Sequence, residues 1–382
     1  MSKKLAAAII GTGFICPVHI EALKRIDVPV RGILGSSLAK SVAAAARLGL
    51  PKGYKDLKEL LNDNEVDVVH ITSPNRHHFE QASAALKAGK HVLCEKPLAM
   101  NSEESSQLVE IAKAAGMFAG VNYNIRYYPL CIEAAERLKN GAFGRLFHVT
   151  GSYAQDWLFH KTDFNWRVLA DEGGELRAVA DIGTHLLDLI GYVTGRRVEA
   201  VFADLQTVYR ERLRPEGEVK TFSGKDTQVK PTKEIAINTE DHGSILLRFE
   251  GGAKGVMWVS QVYAGRKNSL RFEIAGSAGS CAWDSESPNS IWLGHRDKPN
   301  ESLIRDPSLM SARAAEFSAY PGGHNEGFPD TFKQLFRDFY HCVEGGKVPE
   351  KPTFPTFADG HQEILLCEAI LKSHRDQQWV SL

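Results

Sequence analysis

From residue 5 to residue 121, short apolar runs alternate with segments whose apolar positions recur every three or four residues. The runs are Leu5 to Ile10, Val28 to Leu34, Val66 to Ile71, His91 to Cys94 and Met117 to Val121. None of them alternates apolar with polar, which is the pattern of strands buried on both faces. Between them, Pro17 to Ile26, Leu38 to Leu48, Asp56 to Leu61, Phe79 to Ala88 and Ser102 to Ala115 read as helices, the last with Ser102 or Ser105 as candidate cap. Strand and helix in strict alternation predict a doubly wound parallel sheet.

The rhythm changes after Pro129. Leu130 to Lys139 reads as a helix and Arg145 to Gln155 as a long strand. Further strand-like runs follow at Val198 to Tyr209, Gly243 to Glu250, Ala253 to Val262, Ser269 to Ala275, Cys281 to Asp284 and Ile291 to Leu293, with Gly251-Gly252 as a tight hairpin. Strands without intervening helices predict an α+β region with an open, mainly antiparallel sheet. Arg210 to Lys233 is polar and reads as an excursion from it. Phe-rich Pro329 to Val343 and then Phe357 to Ser373 read as closing helices. The fold class is therefore α/β followed by α+β, with domains expected at 1–124 and 125–382.

Composition removes several function classes. A formal net charge of -1 gives no electrostatic footprint for nucleic acid or an acidic membrane. No apolar run approaches a membrane span, and the lysine-led N-terminus runs straight into a glycine turn, so it reads as a first strand rather than a leader. Six scattered cysteines without metal-ligand spacing read as reduced thiols, and a cytoplasmic location is expected.

Three stretches carry candidate chemistry. Gly11-Thr12-Gly13-Phe14-Ile15-Cys16 follows a strand and opens a helix. Gly11 suits the tight turn, Gly13 lets backbone approach a pyrophosphate, and Cys16 stands where a third small residue is usual. The second strand ends in Gly35-Ser36-Ser37, with no acid to repel a 2'-phosphate; Ser36, Ser37 and Lys40 lean the site toward NADP or dual use, unless they are only a loop and helix cap. Glu95-Lys96-Pro97 places a charged pair at a strand's carboxyl end, the edge where such sheets bind ligands. Finally, Asp181, His185 and Asp188 are spaced to share one face of a helix. A carboxylate one turn from an imidazole can orient it for proton transfer. The alternatives are an exposed Asp-His pair or half a metal site, and no HExxH or Cys/His cluster completes the latter. No metal is expected.

GTGFICPVHIEAL, SPNRHHFEQASAALKAGKHVLCEKPLA, NYNIRYYP and DIGTHLLDL stand in an order and spacing that resembles the glucose-fructose oxidoreductase, inositol dehydrogenase and MocA family (Gfo/Idh/MocA) over nearly the whole chain. The resemblance implies a Rossmann domain, a sheet-rich second domain that often mediates oligomers (hence a homodimer or homotetramer), and hydride transfer between NAD or NADP and a carbinol of a sugar, glycoside or polyol. It implies that Lys96 contacts nicotinamide ribose and substrate oxygen, and that Asp181 and His185 are the acid-base pair. Gly11, Gly13, Phe14, Ile15, Ser73, Asn75 and His78 would line the cofactor, with Glu95, Asn122, Trp166 and Arg167 toward its nicotinamide end.

In that reading Lys96, Arg126, Trp157, His160, Asp181, His185 and His324 are the candidate substrate contacts. Polar groups with flat aromatic faces suit an uncharged pyranose; Lys161, Arg126 and Arg167 keep an acidic substrate open. Whether His185 or Lys96 is the base stays open. Two other readings remain: a glycosidase that uses transient oxidation by held NAD, and a cofactor-binding regulator without catalysis.

Overall fold

The structure, a computed structural model, describes residues 4–217 and 231–382. Six parallel strands form the first sheet: β1 (Ala7–Ile10), β2 (Val30–Leu34), β3 (Gly53–Tyr54), β4 (Val68–Ile71), β5 (His91–Cys94) and β6 (Ala119–Val121). Their spatial order is β3-β2-β1-β4-β5-β6. Every residue of β1 and β4 is buried, which is why these runs show no alternation. The order reverses between β1 and β4, so the loops leaving their carboxyl ends diverge and open a crevice.

Helices Ile15–Arg25, Leu38–Leu48, Leu57–Leu61, His78–Lys87 and Ser102–Ala115 connect these strands. The last is capped by neither candidate serine. Asn101 accepts from the Glu104 amide at 2.9 Å, while Ser105 is buried against His361 at 2.8 Å.

The second sheet contains β7 (Leu146–Ala154), β8 (Val198–Gln206), β11 (His242–Phe249), β12 (Lys254–Ser260), β13 (Ser269–Gly276), β14 (Ser280–Asp284), β15 (Ser290–Gly294), β16 (Glu301–Ile304) and β17 (Val380–Ser381). All its pairs are antiparallel except β7 with β12. Gly251 and Gly252 both take positive φ in the turn between β11 and β12, a conformation that glycine adopts without a Cβ penalty. The polar excursion is a two-stranded ribbon, β9 (Glu211–Pro215) against β10 (Thr232–Ala236). Its middle, residues 218–230, lies outside the described residues, as do 1–3 of the lysine-led N-terminus.

The end of the chain returns to the first sheet. Phe332, Phe336, Phe339 and Tyr340 of helix Phe328–Glu344 share a core with Ala7, Ile9, Ile20 and Leu23, and Arg25 pairs with Asp330 at 2.5 Å. The Phe-rich stripe therefore closes the underside of the dinucleotide sheet. Among the described residues no helix is long and apolar enough to cross a membrane, and no cluster of three His, Cys, Asp or Glu side chains could hold a metal ion.

Candidate active site

At the carboxyl edge of the first sheet two ion pairs reach the second domain: Arg76 with Glu172 at 2.8 Å, and Lys96 with Asp181. Lys96, just beyond β5, donates from Nζ to Oδ1 and to the backbone carbonyl of Asp181, both at 2.7 Å. Asp181 sits in a single π-helical turn, Val179–Gly183, that runs into helix Thr184–Thr194. The extra residue per turn breaks the α-helical spacing assumed between Asp181 and His185, and such bulges recur at functional sites. Consequently Asp181 does not bond His185. Its Oδ1 also faces Arg167 Nε at 3.3 Å, and its Oδ2 accepts from Gln261 Nε2 at 2.9 Å. Burial pushes the Asp181 carboxyl up, but the Lys96 and Arg167 charges outweigh it and hold it well below the usual range.

His185 is 8% exposed, and its Nδ1 is fully buried with no hydrogen-bond partner. Tyr123 meets the ring edge-on at 5.7 Å. Burial, then the Lys96 charge, push the imidazole down to about 3, so it is neutral throughout the neutral range. Gln261 is in turn fixed by Arg177 Nη1 at 3.2 Å, and Arg177 shares buried Asp241 with Arg212. Arg212 also donates to the carbonyls of Leu158, His160 and Asp163, which pins the ribbon onto the loop after β7.

On the cofactor side, Gly11 takes φ 106°, and a Cβ there would lie 2.6 Å from the Thr72 carbonyl. Gly13 is different: nothing lies within 4 Å of its would-be Cβ, so the protein's own packing does not demand glycine. Phe14 beside it is 50% exposed, and Ile15 is half-buried. Ser37 caps helix Leu38–Leu48 by accepting from the Lys40 amide at 3.3 Å, leaving Ser36 exposed. Ser73 bonds Gln81 at 2.6 Å, Asn75 donates to the Gly173 carbonyl at 2.9 Å, and His78 spans the carbonyls of Pro97 (2.8 Å) and Ser73 (2.9 Å). These three brace the crevice wall. Glu95 accepts from His19 at 2.9 Å and from Asn122. Burial pushes Glu95 up, but His19, Lys96 and Asn122 hold it down at about 2. Asn122 Oδ1 is buried without a partner. An open approach at Gly13 and orphaned polar atoms on Asn122 and His185 fit an extended dinucleotide with a polar far end.

Arg126 is not presented to this cleft. Its guanidinium is engaged by Asp188 (Nε at 2.8 Å) and Asp359 (2.9 Å) and packs on Tyr192, so Asp188 is likewise a structural partner. Trp166 stacks under the Arg167 guanidinium at 4.4 Å. Trp157 is half-buried in the loop after β7, and His160 is exposed there, its backbone amide on Asp163 at 2.7 Å. His324 is exposed on a loop whose carbonyls hold Arg305. His160 and His324 make no hydrogen bond or ion pair to Lys96, Asp181 or His185 among the described residues, because Arg212 and Arg305 gather their loops elsewhere. Gln261, Tyr153 and Asn268 were not singled out in the sequence. Gln155 Nε2 and Tyr153 Oη both donate to Asn268 Oδ1 at 2.7 Å.

Residues 5–123 match the family described as "Oxidoreductase family, NAD-binding Rossmann fold", and 131–282 match its C-terminal domain. The chain belongs to the Gfo/Idh/MocA family. It is an NAD-binding oxidoreductase. Levoglucosan dehydrogenase of Pseudarthrobacter phenanthrenivorans is 30% identical over 100% of this chain and 98% of its own length. Myo-inositol 2-dehydrogenase of Thermotoga maritima is 27% identical over 98% of this chain and 97% of its own. Levoglucosan dehydrogenase in complex with NADH and levoglucosan superposes with a TM-score of 0.87 at 28% identity, covering 99% of each chain.

Proposed function

We propose that this Gfo/Idh/MocA protein is an NAD(P)-dependent dehydrogenase that oxidises a secondary carbinol of an uncharged pyranose or glycoside, with residues 1–124 binding the dinucleotide and 125–382 the sugar. The observation that carries this reading is the Lys96–Asp181 pair at 2.7 Å, which joins the carboxyl edge of the first sheet to the second domain. A bound nicotinamide supplies the hydride acceptor. The chain supplies the rest. Asp181, held ionised by Lys96 and Arg167, fixes the Lys96 ammonium in the cleft, where it stabilises negative charge developing on the substrate oxygen. His185 is neutral, so of the two candidate bases it is the one that keeps a lone pair for the hydroxyl proton. Gln261, Gln155 and Asn268 supply neutral amides, which suit hydroxyl groups better than phosphate. Trp166, stacked on Arg167, offers a flat face.

The end of β2 carries Gly35 and exposed Ser36 rather than an acid, which supports acceptance of NADP as well as NAD. A cytoplasmic homo-oligomer acting in carbohydrate metabolism is part of the same proposal. The test is cofactor reduction with NAD and NADP separately against anhydro-hexoses, glycosides, inositols and sugar phosphates, levoglucosan first because of the named relative. Turnover of an uncharged sugar is the expected result. Turnover restricted to sugar phosphates, or glycoside cleavage without net reduced cofactor, would refute it.

A further inference from the structure

Beneath the cofactor edge lies a chain of four titratable side chains that the reaction above does not use. Glu95 Oε1 meets His19 Nε2 at 2.9 Å, His19 Nδ1 meets His70 Nδ1 at 3.0 Å, and His70 Nε2 meets Tyr340 Oη at 3.0 Å. His19 and His70 are completely buried, and Phe336 lies 4.9 Å from both rings. The chain joins helix Ile15–Arg25, β4, the end of β5 and helix Phe328–Glu344.

Valence ties its direction to the charge of His19. Glu95 also receives the Asn122 amide and the Lys96 backbone N–H (3.3 Å), so it is an acceptor on both oxygens. His19 must then donate from Nε2. With one N–H on each ring, His19 Nδ1 accepts from His70 Nδ1–H and His70 Nε2 accepts the Tyr340 hydroxyl; with two on His19 both bonds reverse, so this order requires a neutral His19. Burial pushes His70 well below the ordinary histidine range, in keeping with a neutral ring.

We propose that Tyr340, His70 and His19 are positioning residues: a neutral, proton-ordered chain that fixes Glu95 as an oriented anion, whose charge favours the oxidised, cationic nicotinamide over the reduced, neutral one. This rests on the dehydrogenase reading. With phosphates at the β1 turn and the adenosine over β2, the nicotinamide half of the site falls on the β4–β5 side, where Glu95 stands. A uniform change in binding would alter both redox forms alike; a nearby charge separates them.

The experiment titrates NAD+, NADH and ADP-ribose into the full-length protein and into Glu95→Gln and Tyr340→Phe variants. Glu95→Gln is expected to raise the Kd ratio of NAD+ to NADH about tenfold, and Tyr340→Phe a few-fold, with ADP-ribose unmoved. Nitrogen-15 spectra of histidine-labelled wild type, which need no variant to fold, are expected to show His19 protonated on Nε2 alone and His70 on Nδ1 alone at neutral pH. An unchanged ratio with all three ligands bound overturns the proposal while leaving the dehydrogenase reading intact. A doubly protonated His19 does the same, since it cancels the charge. Failure of wild type to bind any of the three overturns both.

Discussion

At the scale of single residues, the account turns on atoms with one place to go. Gly11 and Gly13 look alike in the motif but differ in what surrounds them. A methyl at Gly11 collides with the Thr72 backbone at positive φ, whereas a methyl at Gly13 meets nothing. Gly11→Ala should therefore lower the unfolding temperature, while Gly13→Ala leaves it within about a degree of wild type and weakens dinucleotide binding tenfold or more. Calorimetric unfolding and NAD titration of both variants separate the two; a Gly13→Ala protein that binds normally contradicts the placement of the phosphates. At this scale the sequence was legible where one residue type serves one chemistry, as in the glycine turn and at Lys96 beside its strand. Arg126 illustrates the opposite case. Its charge suggested a ligand contact, but only the fold reveals Asp188 and Asp359 waiting for it. His19 and His70 went unmarked because a histidine inside an apolar run reads as core, and their partner Tyr340 lies 270 positions further along from His70.

At the scale of elements, periodicity found most helices and strands, since burial on one or both faces writes itself into spacing. It could not find the π turn at Val179–Gly183, because one extra residue in a helix leaves no compositional mark. That turn decides the site's wiring: it hands Asp181 to Lys96, Arg167 and Gln261 instead of to His185. The ribbon β9–β10 was likewise unreadable as paired strands, being mostly polar, with Ile235 packed on a small apolar cluster and one fully buried arginine as its anchor. Two buried guanidinium groups, Arg177 and Arg212, depend on Asp241. Asp241→Asn leaves both without their anion and should cost about 3–5 kcal/mol in denaturant unfolding. A loss below 1 kcal/mol would mean that the carbonyls around Arg212 suffice.

At the scale of the whole molecule, the first sheet is completed by the last third of the sequence. Helix Phe328–Glu344 seals its underside, so residues on either side of position 124 share a core. This interleaving links stability to acid. His185 is held at about 3 and His70 well below its ordinary value, so in the folded state both stay neutral where the unfolded chain protonates them. The unfolded chain therefore binds more protons below about pH 6.5. Stability is complete above that value and falls as pH drops toward the folded pKa, by a few kcal/mol for His185 alone. His185→Gln should flatten the dependence of unfolding free energy on pH between about 6.5 and 4. An unchanged slope would show that His185 is protonated in the folded protein.

The central claim, that Lys96 and the second domain together bring a carbinol carbon to a bound nicotinamide, is tested most directly by isotope transfer. Levoglucosan or a methyl glucoside deuterated at its ring carbinol carbons is incubated with NAD, and the reduced cofactor is analysed for deuterium. The wild-type protein is expected to move the label directly onto the nicotinamide ring. Lys96→Met should do so about 10²–10³-fold more slowly, with ADP affinity preserved. Reduced cofactor without label, or transfer at the wild-type rate in Lys96→Met, would contradict the account.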